Sequence, residues 1–470
     1  MNEYILERGY FTPNDPEIMA GSDSASMQRA VDAALETGLG RVVIPRYNKR
    51  TGQNRWDVDK AVILDSGIEI VLDGCYIRQT DGSMDNVFRN FPEDGMRRRT
   101  LAEEQHDIII RGVGNAIIDG GIHNGLTEMS CMKNGLPHIF QNNTILLHNL
   151  RDFRLENFTI LNQRHWAINL CYAEKGVIAS LNIVCDGKTQ NLDGIDLRIG
   201  CNHILLQNLQ GQAGDDFIAL TALNGARSQA QYTVEGKSMD IHHVIIQNVV
   251  ATSAECTVIA LRNHDGIKIH DITIDNVHDT VTSQTTAEEG TFSFFFDLSK
   301  RKFSKSPYAL LRIGHDLFSH SSVCQMGDVY NIHVTNLHAR CNNAIILNMC
   351  LENSYFGNIY AGNDVDAIIS SKSERSEHPF GVNLRNTVFE NIFFQCTDNP
   401  DAVAFDLGLN TKECTLENVT IRNAYLGSCS RILNMEHQGN LALENICAAD
   451  LRNKITVREG SIVTLDGQPL

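Results

Sequence analysis

Three aspartates carry the clearest chemistry in this chain. Asp193 lies in Asn191-Leu-Asp193-Gly-Ile-Asp196, and Asp215 and Asp216 lie in Gly214-Asp215-Asp216-Phe-Ile-Ala-Leu220. Asp193 and Asp215 are 22 residues apart. If 22 residues make one turn of a solenoid, the two motifs stack as neighbours about 4.8 Å apart. Like charges that close raise at least one carboxyl pKa, so one acid keeps a proton while another stays ionised. Glycosidic bond hydrolysis needs that asymmetry: a protonated acid for the leaving oxygen and a carboxylate opposite. Two other readings fit the spacing. The aspartates can serve turns, or they can hold Ca²⁺, for which Asn191 and Asp196 would add oxygen ligands. The reading preferred here needs no metal and no cofactor.

The elements that must position these residues repeat. From Ile63 onward the chain is built of short runs rich in Ile, Val and Leu, separated by Gly, Asn and Asp. Examples are Ile68–Leu72, Ile108–Ile110, Phe153–Leu155, Val177–Ile178 and Ile204–Leu206. An asparagine between apolar residues recurs at positions 157, 182, 208, 248, 276, 336, 391, 418 and 445. The gaps are 25, 26, 40, 28, 60, 55, 27 and 27 residues. A period near 25 with several short strands per repeat indicates a parallel β-helix, because one rung cannot bury its apolar face alone and stacked rungs can. The asparagines fall at turns, where the amide tolerates a left-handed backbone and can stack into a ladder. A leucine-rich repeat has a similar period but needs a helical half, which these β-branched runs do not offer.

The expected fold is therefore all-β: a right-handed parallel β-helix, or solenoid, along residues 1–470 as a single domain, with an N-terminal capping helix. Residues 1–62 form the cap region. Its helix, about 24–37, is capped by Ser24 or Ser26 and carries Met27, Ala30, Val31, Ala34 and Leu35 at helical spacing. Arg41–Pro45 follows as a strand. Two stretches break the period, about 223–239 and 282–306, and read as loop insertions.

Composition narrows the function classes. The formal net charge of −17 argues against nucleic acid, since phosphate neutralisation needs Lys and Arg. It also sits awkwardly with a polyanionic substrate unless a local basic patch offsets it. No run of about 18 apolar residues marks a membrane span. Residues 1–10 contain Glu3, Glu7 and Arg8 and no apolar h-region, so a cytoplasmic location is expected. The 13 cysteines form no CxxC pair and read as reduced, mostly buried small hydrophobes.

The aspartate motifs resemble those of the family 28 glycoside hydrolases, the polygalacturonase family. That family's motifs run Asn-Thr-Asp-Gly, then Gly- or Gln-Asp-Asp about one rung later, then Gly-His-Gly, then Arg-Ile-Lys. Asn191-Leu-Asp193-Gly194 matches the first with Leu192 for Thr, and Gly214-Asp215-Asp216 matches the second fully. The lead-in Asn162-Gln-Arg-His165-Trp166 is similar too, and the similarity is clearest over about 105–280. The resemblance implies an inverting mechanism. Asp215 would be the general acid, Asp193 and Asp216 would activate the water, and Asn191 would position the site.

The later motifs depart. Where Gly-His-Gly is expected, the chain reads Ser253-Ala-Glu-Cys-Thr-Val-Ile-Ala260, with Glu255 or Thr257 in that neighbourhood and Arg262 and His264 just beyond. Where Arg-Ile-Lys is expected, it reads Arg312-Ile-Gly-His315. In the family the Arg and Lys contact the sugar carboxylate; here the Arg stays and the Lys is gone. His315 or Arg262 would be the substitutes. His165 and Trp166 are further substrate-binding candidates, on the reading that an exposed Trp beside a cleft stacks on a sugar ring; a Trp packed under a loop is the plainer reading. The aromatic run Thr291–Phe296 either edges the cleft or makes a subunit contact in a homo-oligomer, and the second is favoured.

The function expected is an inverting glycoside hydrolase acting on uronate-containing or related pectic oligosaccharides, with exo action if the two insertions close one end of the groove. A polysaccharide lyase or epimerase on the same scaffold would instead use a base such as Arg262 or Arg312. A non-catalytic carbohydrate-binding β-helix is the third reading, since fold alone does not set function. The expected partner is an oligosaccharide, with no nucleic acid and no membrane.

Overall fold

The computed structural model describes residues 7–92, 100–127, 130–133, 135–186, 189, 191–223, 232–254, 256–263, 266–280, 292–293, 296–297, 309–314, 324–363, 365–371, 382–396, 398–408 and 414–470. The chain is a right-handed parallel β-helix with one N-terminal helix among the described residues. It divides into two compact units: residues 1–214 with 225–238, and residues 215–224 with 239–470.

In the first unit the helix spans Asp23–Glu36 and buries Met27, Ala30, Val31 and Ala34. Its N-cap is Ser22, whose hydroxyl accepts from Ala25 N at 3.2 Å, one residue pair earlier than the sequence suggested. Ser24 and Ser26 are occupied otherwise: Ser24 Oγ donates to Asp59 Oδ1 at 2.6 Å, and Ser26 Oγ donates to the Ser22 carbonyl at 2.8 Å. The strand Arg41–Pro45 follows as expected. Rungs then stack in parallel register, so that Val42, Ile70, Ile110, Leu155, Ile178 and Leu206 form one column. All six are fully buried. Burying each such side chain is worth about 1.5–3 kcal/mol.

The second unit repeats the design. Ile246, Ile274, Val334, Phe356, Phe389, Ile421 and Leu443 form its core column, with the rings of Phe356 and Phe389 stacked at 4.8 Å. The short runs read in the sequence fuse into strands of 11–13 residues, such as Ile145–Glu156 and Ile241–Ser253. They fuse because one left-handed residue turns the corner without breaking the ladder. Asn157, Asn208, Asn248, Asn276, Asn336, Asn391, Asn418 and Asn445 all have φ between 52° and 63°. At Asn182 the turn is made instead by Ser180, at φ 55°.

The expected asparagine ladder exists. Asn358, Asn391, Asn423 and Asn445 each donate to the asparagine one rung back, starting from Asn336, at 3.0–3.3 Å. Asn418 belongs to a second ladder with Asn386 and Asn353. The two long gaps resolve differently. Val277 pairs directly with Leu337, so the gap of 60 is one rung plus an insertion, while the gap of 55 contains an extra rung at Asn358. Of the sequence insertion 223–239 residues 223 and 232–239 are described, and of 282–306 only 292–293 and 296–297; Glu255, His264 and His315 lie outside the described residues. No described helix is long and apolar enough to cross a membrane.

Candidate active site

In the first unit the Asp193 segment is held by the rung before it. Ala167 N donates to the Asp193 carbonyl at 3.0 Å, and Ile168 N to the Gly194 carbonyl at 2.9 Å. Gln163 Nε2 reaches the Leu192 and Asp193 carbonyls at 3.2 and 3.3 Å. Asn191, at φ 55°, takes the left-handed turn that starts the segment. The strand Ile195–Arg198 then pairs with Ile168–Leu170, placing Asp196 beside Asn169. Alternation along the strand puts Ile195 and Leu197 in the core and turns Asp196 and Arg198 to the opposite face. That face is covered, since Asp193, Asp196 and Arg198 are 3%, 1% and 6% exposed.

The cover is aromatic. Arg198 carries its guanidinium 5.0 Å from the centre of the Trp166 ring and 5.2 Å from that of Phe140, a favourable cation–π arrangement. Trp166 stacks on His165 at 4.7 Å and contacts Phe140 at 4.9 Å, and Phe140 touches Tyr232 at 5.2 Å. Trp166 is buried, so the exposed stacking face anticipated for it does not form: Phe140 and Arg198, distant in sequence, cover the ring. His165 is buried as well, and its Nδ1 lies 2.9 Å from the Asn143 amide. Burial pushes His165 well below the usual imidazole range, with His138, Arg198 and His123 adding to the shift. It is a neutral packing group beneath Trp166 and Phe140. Phe140 and Arg198 did not stand out in the sequence; the Asp196–Arg198 alternation beside the Asp193 motif was the available signal for Arg198.

In the second unit Asp215 and Asp216 enter the strand Ile218–Ala222, which pairs with Thr257–Asn263 so that Thr221 faces Arg262. Asp215 is half-buried and Asp216 fully buried. The segment 253–257 grips them both. Ser253 Oγ donates to the Asp215 carbonyl at 2.5 Å, and Thr257 donates to Asp216 Oδ1 from its hydroxyl at 2.6 Å and its backbone N–H at 3.2 Å. Phe217 N returns a bond to the Thr257 carbonyl at 3.0 Å. Arg262 forms an ion pair with Asp216 Oδ2. The guanidinium proposed for the sugar is therefore engaged with a site carboxylate. Sequence reasoning placed Thr257 near the site but missed Ser253, whose hydroxyl has no pattern that marks it.

Asp215, Asp216 and Cys256 offer oxygen and sulfur atoms that all lie within 4.8 Å of one another. As a cation site this set is poor, because Arg262 already brings a positive charge to Asp216. Arg312 pairs in register with Ala260 and is 2% exposed. Two residues on, Gly314 has φ +103°, and a Cβ built there would lie 2.6 Å from the Asn348 carbonyl carbon. The lysine of the Arg-Ile-Lys pattern cannot stand at this position, because the next rung's backbone fills its space.

Residues 92–228 match the family model described as "Glycosyl hydrolases family 28". Among curated proteins none matches. Similar solved structures include a Yersinia enterocolitica family 28 exopolygalacturonase, at 12% identity and TM-score 0.49, covering 98% of this chain and 79% of that one. The polygalacturonase from Erwinia carotovora ssp. carotovora is similar at 14% identity and TM-score 0.47, with 86% and 90% covered. PfbA, a surface adhesin of Streptococcus pneumoniae, is similar at 12% identity and TM-score 0.46, with 98% and 92% covered. The matched segment contains Asn191, Asp193, Gly214, Asp215 and Asp216, whereas the altered stretches 253–260 and 312–315 fall beyond it. Over residues 92–228, then, this chain is similar to the glycosyl hydrolases of family 28.

Proposed function

We propose that the protein is an inverting glycoside hydrolase that acts on uronate-containing or related pectic oligosaccharides from the chain end. The observation that carries this reading is that both aspartate motifs lie inside the segment matched by the family 28 model. Asp215, the more exposed of the 215–216 pair, is the general acid that protonates the leaving oxygen. Asp193 is the carboxylate that activates water. An inverting pair stands about 6.5–9.5 Å apart, which leaves room for that water. Arg312 supplies one positive contact for a sugar carboxylate, and the loss of the partner lysine favours short or sparsely charged substrates.

The test is incubation with a panel of pectic and non-pectic oligosaccharides, following product anomers by NMR as they form. The expected result is a sugar released with inverted configuration, with no early fall in polymer viscosity. Retained configuration would overturn the inverting assignment, and an unsaturated product would point to a lyase instead. No product from any member of the panel would overturn the hydrolase reading.

A further inference from the structure

We propose that a groove over Val250, His278, His338 and Tyr360, on the outer face of the second unit, binds a short acidic oligosaccharide separately from the aspartate site. The kind of ligand rests on the substrate class proposed above; the groove itself does not.

The strands Ile241–Ser253, Ile269–Asp279, Val329–Ala339 and Leu351–Ala361 pair in register, so that Val250, His278, His338 and Tyr360 form one column. The preceding column, Val249, Val277, Leu337 and Ile359, is buried, so strand alternation turns the Val250 column outward. Val250 is 46% exposed and Tyr360 44%. His278 stacks on His338 at 4.0 Å and 6°, and His338 on Tyr360 at 4.7 Å and 12°. The stack stops at Val250, where an aliphatic side chain stands in place of a ring. The face of His278 turned towards Val250 therefore has no ring against it. A groove of about 580 Å³ is lined by this column and by the residues that follow it in each rung.

The polar groups of the groove are unspent. Arg340 lines it and is exposed, and among the described residues its guanidinium has no hydrogen-bond or ion-pair partner. The Tyr360 hydroxyl and the His338 ring nitrogens are likewise without a described hydrogen bond. Burial, and then His278 beside it, lowers the His338 pKa, so the neutral ring offers one donor and one acceptor. Asp279 is the acidic residue of the lining. It is 4% exposed, and its Oδ2 accepts from Arg340 N and Cys341 N at 2.7 and 2.9 Å, which turns its charge to the backbone. These groups suit a sugar that bears a carboxylate. Its C–H face packs on His278 above Val250, its carboxylate pairs with Arg340, and its hydroxyls bond Tyr360 and His338. On a chain of net charge −17, a free guanidinium favours an acidic ligand over a neutral one. Three rung steps cover about 14 Å, roughly the length of a trisaccharide. In each rung this column precedes the strand that carries Arg262 or Arg312, so the groove lies on a different sheet face from those residues.

The experiment titrates trigalacturonate by equilibrium dialysis and counts molecules bound per chain, in Asp215→Asn protein so that none is consumed. Adding Val250→Phe supplies the missing ring and should remove one bound molecule per chain. Adding Arg340→Met should weaken that same molecule by about tenfold or more, as expected for a lost charged hydrogen-bonded pair. Neutral galactotriose should occupy the groove about tenfold more weakly than trigalacturonate, and Arg340→Met should leave that weaker binding unchanged. With Asp215 intact, Val250→Phe and Arg340→Met should each change kcat on short oligosaccharides by less than about twofold. If Val250→Phe fails to fold, Arg340→Met, at an exposed position, carries the comparison. The proposal is overturned if a folded variant of either kind leaves the trigalacturonate titration unchanged, or if galactotriose binds as tightly. It is also overturned if the variants change the sedimentation mass in place of sugar binding, since the groove then joins two copies of the chain. A wild type that hydrolyses nothing overturns the hydrolase reading, while the loss of one bound trigalacturonate would still support the groove. Hydrolysis without that loss overturns this proposal alone.

Discussion

The rungs carrying residues 191–216 and those carrying 253–314 differ in how far they match the polygalacturonase motifs. The first region keeps Asn191, Asp193, Gly194, Gly214, Asp215 and Asp216. The second has the hydroxyls of Ser253 and Thr257 and the guanidinium of Arg262 where that pattern has a histidine motif, and Gly314 where it has a lysine. On the proposed reading, the first region holds the groups that break a bond, and the second holds groups that support them and contact the sugar. On that reading, chemistry and recognition sit on different strands, so a hydrolase of this design can vary the second region while keeping the first.

Several substitutions would break or sharpen that contrast. The largest effect should come from the retained region: Asp193→Asn and Asp215→Asn should each lower kcat by about 1000-fold or more with little change in melting temperature. Retained activity in either variant would remove that residue from the mechanism.

A fold-level limit must be separated from both regions before their pH behaviour is compared. His437 is fully buried, its Nδ1 is 2.9 Å from the Leu407 carbonyl, and burial pushes its pKa down to about 4. The folded state therefore favours the neutral ring. Its contribution is complete above the unfolded imidazole pKa of about 6.5 and is lost as pH falls from there towards 4, by roughly 3 kcal/mol. His437→Gln should flatten the acid limb of unfolding free energy measured by urea titration. An unchanged limb would place the acid sensitivity elsewhere.

In the altered region, Arg312→Met should reduce kcat/KM on uronate oligosaccharides by about 10–100-fold, with a smaller loss on neutral ones, if its charge reads a carboxylate. Equal losses on both would make Arg312 a packing residue. Gly314→Ala should destabilise by about 1–3 kcal/mol, since it forces a side chain into a left-handed backbone against Asn348, and a neutral result would mean that the rung yields. The smallest effect belongs to the scaffold common to both regions. Asn391→Ala should cost about 1 kcal/mol through its lost ladder bonds and αL strain, without altering kcat.

The scaffold was legible in the sequence because its rules are local. An apolar run with an asparagine near every 25 residues dictates rung, corner and ladder, and the aspartate motifs carry their own spacing. The Ser22 cap, one position before the helix, shows how a correct element can still have its boundary misplaced when several serines compete. What stayed hidden depends on residues far apart in the chain. Trp166 reads equally as exposed or as packed under a loop until Phe140 and Arg198 are seen to cover it. Arg262 reads as a substrate contact until Asp216, 46 residues earlier, is found to hold it. Spacing reports which residues share a face, but it does not report which of them neutralise one another.

Gly314 also limits what can be built into this rung by design. The Asn348 backbone occupies the space that any side-chain stem at position 314 would need, so a lysine installed there alone would have to push the neighbouring rung aside. A second cation for a sugar carboxylate is better introduced on another strand, where no backbone has to retreat.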